Sequence, residues 1–381
     1  MDIAALPFDA DEMLARLRPW VECESPTYDP AAVDRMLDLA SHDLAALGAS
    51  IDRIPGRVGA DGTRVGGALR GRLPHPRAGE PGILILGHVD TVHPVGTLEK
   101  LPFRVEGGKA WGPGICDMKG GDRIAIEAVA TLARAGIETP LPVTILYTPD
   151  EEIGTPAFRE LIEAEAARAR AVLVPEPGRP EGGVTSGRYA IARFEIETRG
   201  RPSHAGAALD KGRSAIREMA RRILQIEEMT TPDCTFSVGV MHSGRWVNCV
   251  SSLAKAEVLT MAKKQSDLDA GVDRMLALSD PEGDTPFEVR RGVTRPVWEP
   301  DAGTQELLGL YEGLAKSIGR PFRHESSGGG SDGNFTGAMG IPTLDGLGVD
   351  GGGYHTLDEH IEIESLAVRG RLFAGMLALI S

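Results

Sequence analysis

Six side chains able to bind a metal stand out, each where a buried run of residues ends: His88, Asp117, Glu151, Glu152, Glu176 and His355. The clearest setting is GILILGHVDTV, residues 82–92, where the apolar run Ile83–Leu86 stops at Gly87-His88-Val89-Asp90. A continuous apolar run of this length reads as a buried strand delivering its last side chains to the rim of a sheet. His88 and Asp90 are two residues apart and face the same side of an extended segment. That places a carboxylate beside a histidine, the arrangement that fixes a ligand's tautomer. Asp117 lies in the glycine-rich WGPGICDMKGG, Glu151 and Glu152 in TPDEEIGT, Glu176 in VPEPG, and His355 in GGGYHTLDE.

Taken singly, an HxD pair, two adjacent glutamates or a glutamate between prolines are ordinary surface features. Taken jointly, such groups at successive strand ends converge by topology, because loops after the carboxyl ends of parallel strands gather at one edge. Two histidines and three carboxylates exceed the three protein ligands of a single catalytic zinc. They suit a two-metal centre with ions roughly 3.5–4 Å apart. Asp117, between the first histidine and the acidic pair in sequence, is the natural bridge. Glu151 and Glu152 are adjacent and cannot be equivalent ligands. One can bind metal while the other serves as general base to the attacking water.

These loops need a parallel α/β framework, and the chain reads that way. Helical periodicity covers 9–48, 119–136, 156–168, 303–319 and 362–380; strands are expected at 82–87, 141–148, 171–174 and 343–347. Between them the pattern changes. Tyr189–Thr198, Thr235–Val240, Leu253–Met261 and Phe287–Val293 read as strands, with helices over 212–228 and 266–278, Ser266 being a possible cap of the second. That order describes a small α+β sandwich inserted in the α/β domain. The expected boundaries are 1–186 for the first part of the catalytic domain, 187–294 for the insertion, and 295–381 for the second part.

Composition narrows the function. The chain has 381 residues and a formal net charge of −14, which argues against nucleic acid or an anionic membrane as partner. Hydrophobic residues make up 41%, as in a globular protein. Cys23, Cys116, Cys234 and Cys249 are widely spaced and form no CxxC, so reduced thiols and a cytoplasmic location are expected. No signal peptide and no membrane span are visible. Cys116 reads as a packing residue beside Asp117, and His93, His242 and His360 read as ordinary histidines. The GGGSDGN stretch lacks the lysine ending of a phosphate loop. Its backbone amides, Gly329 among them, could cradle an anionic group such as a substrate carboxylate.

The motifs GHVDTV, GPGICDMKGG, TPDEEIG, PEPG, RPSHAG and GGGSDGNF…GIPTLDGLG…GYHTLDE resemble those of the M20 metallopeptidases, in order and spacing, from about residue 80 to the end. This group contains glutamate carboxypeptidases, acetylornithine deacetylases and succinyl-diaminopimelate desuccinylases, and the carboxypeptidase G2-like branch is the most similar. The resemblance implies a mostly parallel zinc-exopeptidase-like catalytic domain with an inserted ferredoxin-like lid and dimerisation domain. It implies two divalent ions, zinc above cobalt or manganese. His88, Asp117 and Glu176 would serve one ion; Asp117, Glu152 and His355 the other. Glu151 would be the general base for attack by a hydroxide shared between the metals, and Asp90 would orient His88. His204 in RPSHAG would reach the active site of a partner subunit and stabilise the oxyanion. Asn248 would help hold a substrate carboxylate.

One position departs from that branch. The lid strand after the asparagine usually carries an arginine for the substrate carboxylate, and here AEVLTMAKK places Met261 at about that position. A thioether makes no bidentate carboxylate contact. Either Lys263, Arg245, Arg291 or Arg295 takes the role, or the substrate lacks that group. The leading expectation is a homodimeric hydrolase of amide bonds in small N-acyl amino acids or dipeptide-like substrates. The alternatives are the same centre acting on a non-peptide C–N bond, such as an aromatic amine or amidine, and a non-catalytic metal-binding homologue.

Overall fold

A strand covered on both faces shows no polar alternation, and Ile83–Leu86 owes its uniform apolarity to that burial. In the computed structural model, which describes residues 2–381, this run lies within the strand Gly82–His88 and is buried throughout. It is flanked in parallel by Val143–Thr148 and Ala169–Val174, with Ile85 level with Ile145 on one side and Leu173 on the other. Thr343–Asp345 extends the parallel block beyond Ala169–Val174. One face of the sheet buries Ile83, Ile85, Ile145 and Leu173 against helices. The other buries Leu84, Leu86, Leu146, Val172 and Val174 with Ile162 and Phe335.

The block is parallel at its centre and mixed at its edges. Ser50–Ile54 and Ala68–Arg72 add antiparallel on one side. Val184–Arg188 meets Thr343–Asp345 antiparallel through one residue pair, and His324–Ser327 completes the eight strands, parallel to Val184–Arg188. These short edge strands carry charged residues and lack the long apolar run that marks the central ones. The stretch read as helical over 9–48 is two helices, Ala10–Glu22 and Pro30–Ala46. Pro26 restrains the residue before it to extended backbone, and Asp29 then caps the second helix by accepting the Ala32 N–H.

A separate small sheet was not anticipated. It joins Arg104–Glu106, Lys109–Trp111, His360–Glu362 and Gly351–Gly352 in antiparallel pairs. It ties the segment before Asp117 to the segment after His355.

The chain divides into two compact units, the second consisting of Tyr189–Val297 and Gly328–Gly330. This second unit is an antiparallel sheet ordered Cys234–Ser243, Leu253–Ala262, Ala190–Arg199, Phe287–Arg295, with helices Ala215–Glu227 and Gln265–Leu276 on one face. Leu253–Ala262 alternates exposed and buried positions almost throughout, as a strand with one covered face must. Chain order and strand order together are ferredoxin-like. Ser266 does not cap the second helix; Lys264 holds the cap position and supplies no side-chain hydrogen bond. Among the described residues no helix is long and apolar enough to cross a membrane.

Candidate metal centre

His88 is the last residue of its strand and is 1% exposed. Its Nδ1 lies 3.0 Å from the Asp90 carbonyl oxygen and 3.4 Å from the Asp90 carboxylate. Donation to that carbonyl puts the ring proton on Nδ1 and leaves the Nε2 lone pair for a ligand. The Asp90 main chain is thus the nearer partner. Its fully buried carboxylate accepts from the Thr27 hydroxyl at 2.7 Å and from the Glu151 and Glu152 N–H groups, each at 3.3 Å. Asp90 therefore ties the His88 strand to the acidic turn.

Asp117 follows Gly114, whose φ of 70° is left-handed and open chiefly to glycine. The helix Gly120–Arg134 starts three residues after Asp117, and a Cβ at Gly121 would overlap the Pro175 carbonyl. Glycine there lets this helix approach the loop that carries Glu176. Asp117 then lies between two histidines: its Oδ1 is 3.3 Å from His88 Nε2 and its Oδ2 is 3.3 Å from His355 Nε2. Glu176 Oε1 lies 3.7 Å from His88 Nε2, and Glu152 Oε2 lies 3.2 Å from His355 Nε2. The ligand atoms of His88, Glu151 and Glu176 fall within 4.8 Å of one another, as do those of His88, Asp117 and Glu152.

The electrostatics show what such a cluster lacks. Burial pushes Glu152 up to about 8, helped by the neighbouring Asp117 charge. Burial pushes Glu176 well above the usual carboxylate range, again with Asp117 adding to it. Burial works against the charge on Asp117 too, but hydrogen bonds from His355 and His88 outweigh it and hold this carboxyl low. The Asp117 and Glu152 carboxylates raise His355 to about 11. Without a cation the cluster must hold protons to offset its carboxylates; divalent ions would displace them. A donor set of imidazole nitrogens and carboxylate oxygens suits zinc, cobalt or manganese. Cys116 adds no thiolate: burial, with Glu359 and Asp117 nearby, pushes its thiol well above the ordinary range.

Four further candidates belong to the second unit. His204 is exposed, and its Nδ1 accepts the Gly206 and Ala207 N–H groups at 3.2 and 3.1 Å. The ring proton must then sit on Nε2, which makes that nitrogen an outward donor. The Ala205 N–H donates to the Asn248 carbonyl at 2.9 Å, so His204 and Asn248 lie on adjoining loops. Arg295 is 5% exposed, and Gly330, next to Gly329, packs closely on the Arg295 side chain and on Ile191.

Two residues near the ligands escaped notice in the sequence. Glu359 is fully buried, and His93, which reads as an ordinary histidine, is a buried partner 2.7 Å from it. The one signal available was Glu359's place four residues beyond His355 in HTLDE.

A mixed α/β sheet with histidines and carboxylates gathered past the ends of its parallel strands defines a candidate metal-binding site of the α/β class. The model of peptidase family M20/M25/M40 matches residues 84–379, and the chain belongs to that family. The family is metal-dependent. Carboxypeptidase G2 of Pseudomonas sp. (strain RS-16) is 29% identical over 366 residues, covering 94% of this chain and 86% of that relative. A succinyl-diaminopimelate desuccinylase of Thioalkalivibrio sulfidiphilus is 25% identical over 328 residues, covering 78% and 83%. Among solved structures, a tripeptidase from Staphylococcus aureus superposes with a TM-score of 0.77 at 20% identity, covering 97% of this chain and 98% of that one. An M20 family metallo-carboxypeptidase from Sulfolobus solfataricus gives 0.75 at 16% identity, covering 97% and 99%. These structural likenesses establish the shared fold.

Proposed function

We propose that the chain is a dinuclear metal-dependent hydrolase that cleaves the amide bond of a small N-acyl amino acid or dipeptide-like substrate. The observation that carries this reading is Asp117, whose two carboxylate oxygens face different histidines at the same 3.3 Å. His88, Asp117 and Glu176 would hold one ion, and Asp117, Glu152 and His355 the other. When bound, the ions supply Lewis acidity and an acidified water at neutral pH. Zinc fits the donor set, with cobalt or manganese as substitutes.

Glu151 is the general base in this scheme. Its N–H is anchored on Asp90, and its carboxylate would take a proton from the attacking water and return it to the leaving amine. Asp90 keeps the His88 ring aimed through its carbonyl and holds the acidic turn through its carboxylate. His204 would offer an Nε2–H to the tetrahedral oxyanion in the active site of the partner subunit, where a fixed donor contributes most. Asn248, Arg295 and the amides around Gly329 are assigned to the substrate carboxylate.

A homodimer formed through the second unit is part of the proposal. Its edge strand Cys234–Ser243 exposes Val240 and Met241, an unpaired apolar edge of the kind a second copy can cover. The four cysteines are free, which suits a reducing, cytoplasmic setting.

The test is metal removal and restoration followed by a panel of N-acyl amino acids and dipeptides. Turnover of panel members that is lost with the metal and regained with zinc or cobalt supports the reading. Two tightly bound ions with no turnover of any member would count against it. Met261 favours one second reading, hydrolysis of a non-peptide C–N bond in a substrate without the usual carboxylate. Aromatic amides and amidines in the same panel separate the two.

A further inference from the structure

Glu359 is 0% exposed and saturated with hydrogen bonds. Its Oε1 accepts from the Cys116 N–H at 2.9 Å and the Asp117 N–H at 3.0 Å. Its Oε2 accepts from the Gly114 N–H at 2.9 Å and from His93 Nε2 at 2.7 Å. Three amides of one short loop thus point at one carboxylate, a backbone concavity shaped for an anion. The anion is supplied from within the chain.

The connectivity gives this carboxylate its importance. Glu359 lies between His355 and the short strand His360–Glu362, which pairs with Lys109–Trp111. The Gly112 N–H also donates to the Glu359 carbonyl at 3.3 Å. His93 lies three residues beyond Asp90, on the segment that leaves the His88 strand. One buried carboxylate therefore joins the three segments that carry His88, Asp117 and His355. A sheet pairing alone would hold the segments together without fixing the direction of the Asp117 side chain. Capture of the Asp117 N–H itself sets where that side chain starts.

We infer that Glu359, held by His93, is a positioning residue of the metal centre, which sets the Asp117 carboxylate between His88 and His355 by binding the Gly114, Cys116 and Asp117 amides. It touches neither substrate nor reacting atoms and acts through the backbone of Asp117. The inference rests on the dinuclear reading above. Outer residues that orient ligands typically change metal affinity by about 10–100-fold when altered. Glu359→Gln keeps the volume but replaces one acceptor oxygen with an amide nitrogen that cannot accept. Either the Oε1 pair of amides or the Gly114 amide then faces a donor.

The test uses cobalt(II) alone as probe, titrated into the metal-free full-length protein and followed by its visible absorption and by elemental analysis. Glu359→Gln is expected to weaken cobalt binding about 10–100-fold and to change the band positions, because the geometry at the ions changes. His93→Phe keeps the three amide contacts and removes only the ring donor, so a smaller loss of several-fold is expected. Should Glu359→Gln fail to fold, His93→Phe decides the question. Unchanged cobalt affinity and an unchanged spectrum in a folded variant, even with a lowered melting temperature, would reduce Glu359 to a fold-stabilising role and overturn the inference. Failure of the wild-type chain itself to take up two cobalt ions would strike the dinuclear reading instead.

Discussion

Met261 and Arg295 lie in one row of the four-stranded sheet, each paired with Ile191, on the strands either side of it. In-register residues of neighbouring strands share a face, so Met261 and Arg295 present side chains to the same side, two strand spacings or roughly 10 Å apart. Gly330 packs onto this row at Arg295 and Ile191. Among the cations that could stand in for the arginine missing at Met261, Arg295 is the one in the same row, and its proposed binding of the substrate carboxylate is tested there. Replacing Arg295 with Met removes a charge-assisted contact worth about 1.5–3 kcal/mol. KM for carboxylate-bearing substrates is expected to rise about 10–100-fold, with a smaller change for neutral analogues. Steady-state kinetics on matched acid and amide substrates check this; equal effects on both would remove Arg295 from recognition.

Glu151→Gln separates the base from the ligands. The variant keeps the N–H anchored on Asp90 and should retain metal content near that of the wild type. Turnover should fall by about 10²–10⁴-fold, the usual contribution of a positioned base. Elemental analysis beside kinetics gives the answer. A matching loss of metal would make Glu151 a ligand, which its place in a cluster with His88 and Glu176 would then explain.

Asp117→Asn is expected to lower occupancy of both ions together, because each oxygen faces a different histidine. Glu176→Gln and His355→Ala should each empty mainly one site. Metal-to-protein ratios after dialysis against a weak chelator distinguish these patterns. Loss of only one ion in Asp117→Asn would show that the carboxylate does not bridge.

Asp122 gives a pH dependence. It is fully buried in the helix Gly120–Arg134, neither carboxylate oxygen has a hydrogen-bond partner among the described residues, and a Cβ at Gly87 would overlap it. Burial pushes its carboxyl well above the ordinary range, against the opposing charges of His88, Arg123 and Lys119. A folded pKa above the unfolded one means that the folded state binds the proton more tightly. Asp122 therefore lowers stability increasingly as pH rises above the unfolded value of about 4, until the folded value is passed. In the metal-free protein, Asp122→Asn should raise the melting temperature more at pH 8 than at pH 4, by about 1–2 °C per kcal/mol relieved. Scanning calorimetry at the two pH values checks it, and an equal shift at both would contradict the assignment.

Much of the central sheet was legible because burial on both faces leaves a simple mark, the unbroken apolar run of Ile83–Leu86 and its counterparts. The second unit's strands were legible for the opposite reason, since one covered face imposes alternation. The edge strands Ser50–Ile54 and Ala68–Arg72 carry Asp52, Arg53, Arg70 and Arg72, whose ion pairs with one another and with Asp38 and Glu165 blur any pattern. The small sheet around Lys109–Trp111 and His360–Glu362 escaped because its strands are three residues long or shorter, too few to show a period.

The sequence by itself determined the donor types, their order and their association with strand ends, because covalent connectivity and hydrophobic periodicity are local properties. It also marked Met261 as a departure. Only the tertiary structure decided that His88 and His355 flank a single carboxylate, that Arg295 shares the Met261 row, and that Glu359 and His93 close over the Asp117 loop. Those relations join residues up to 267 positions apart, and they exist only when packing brings the chain's separate segments together.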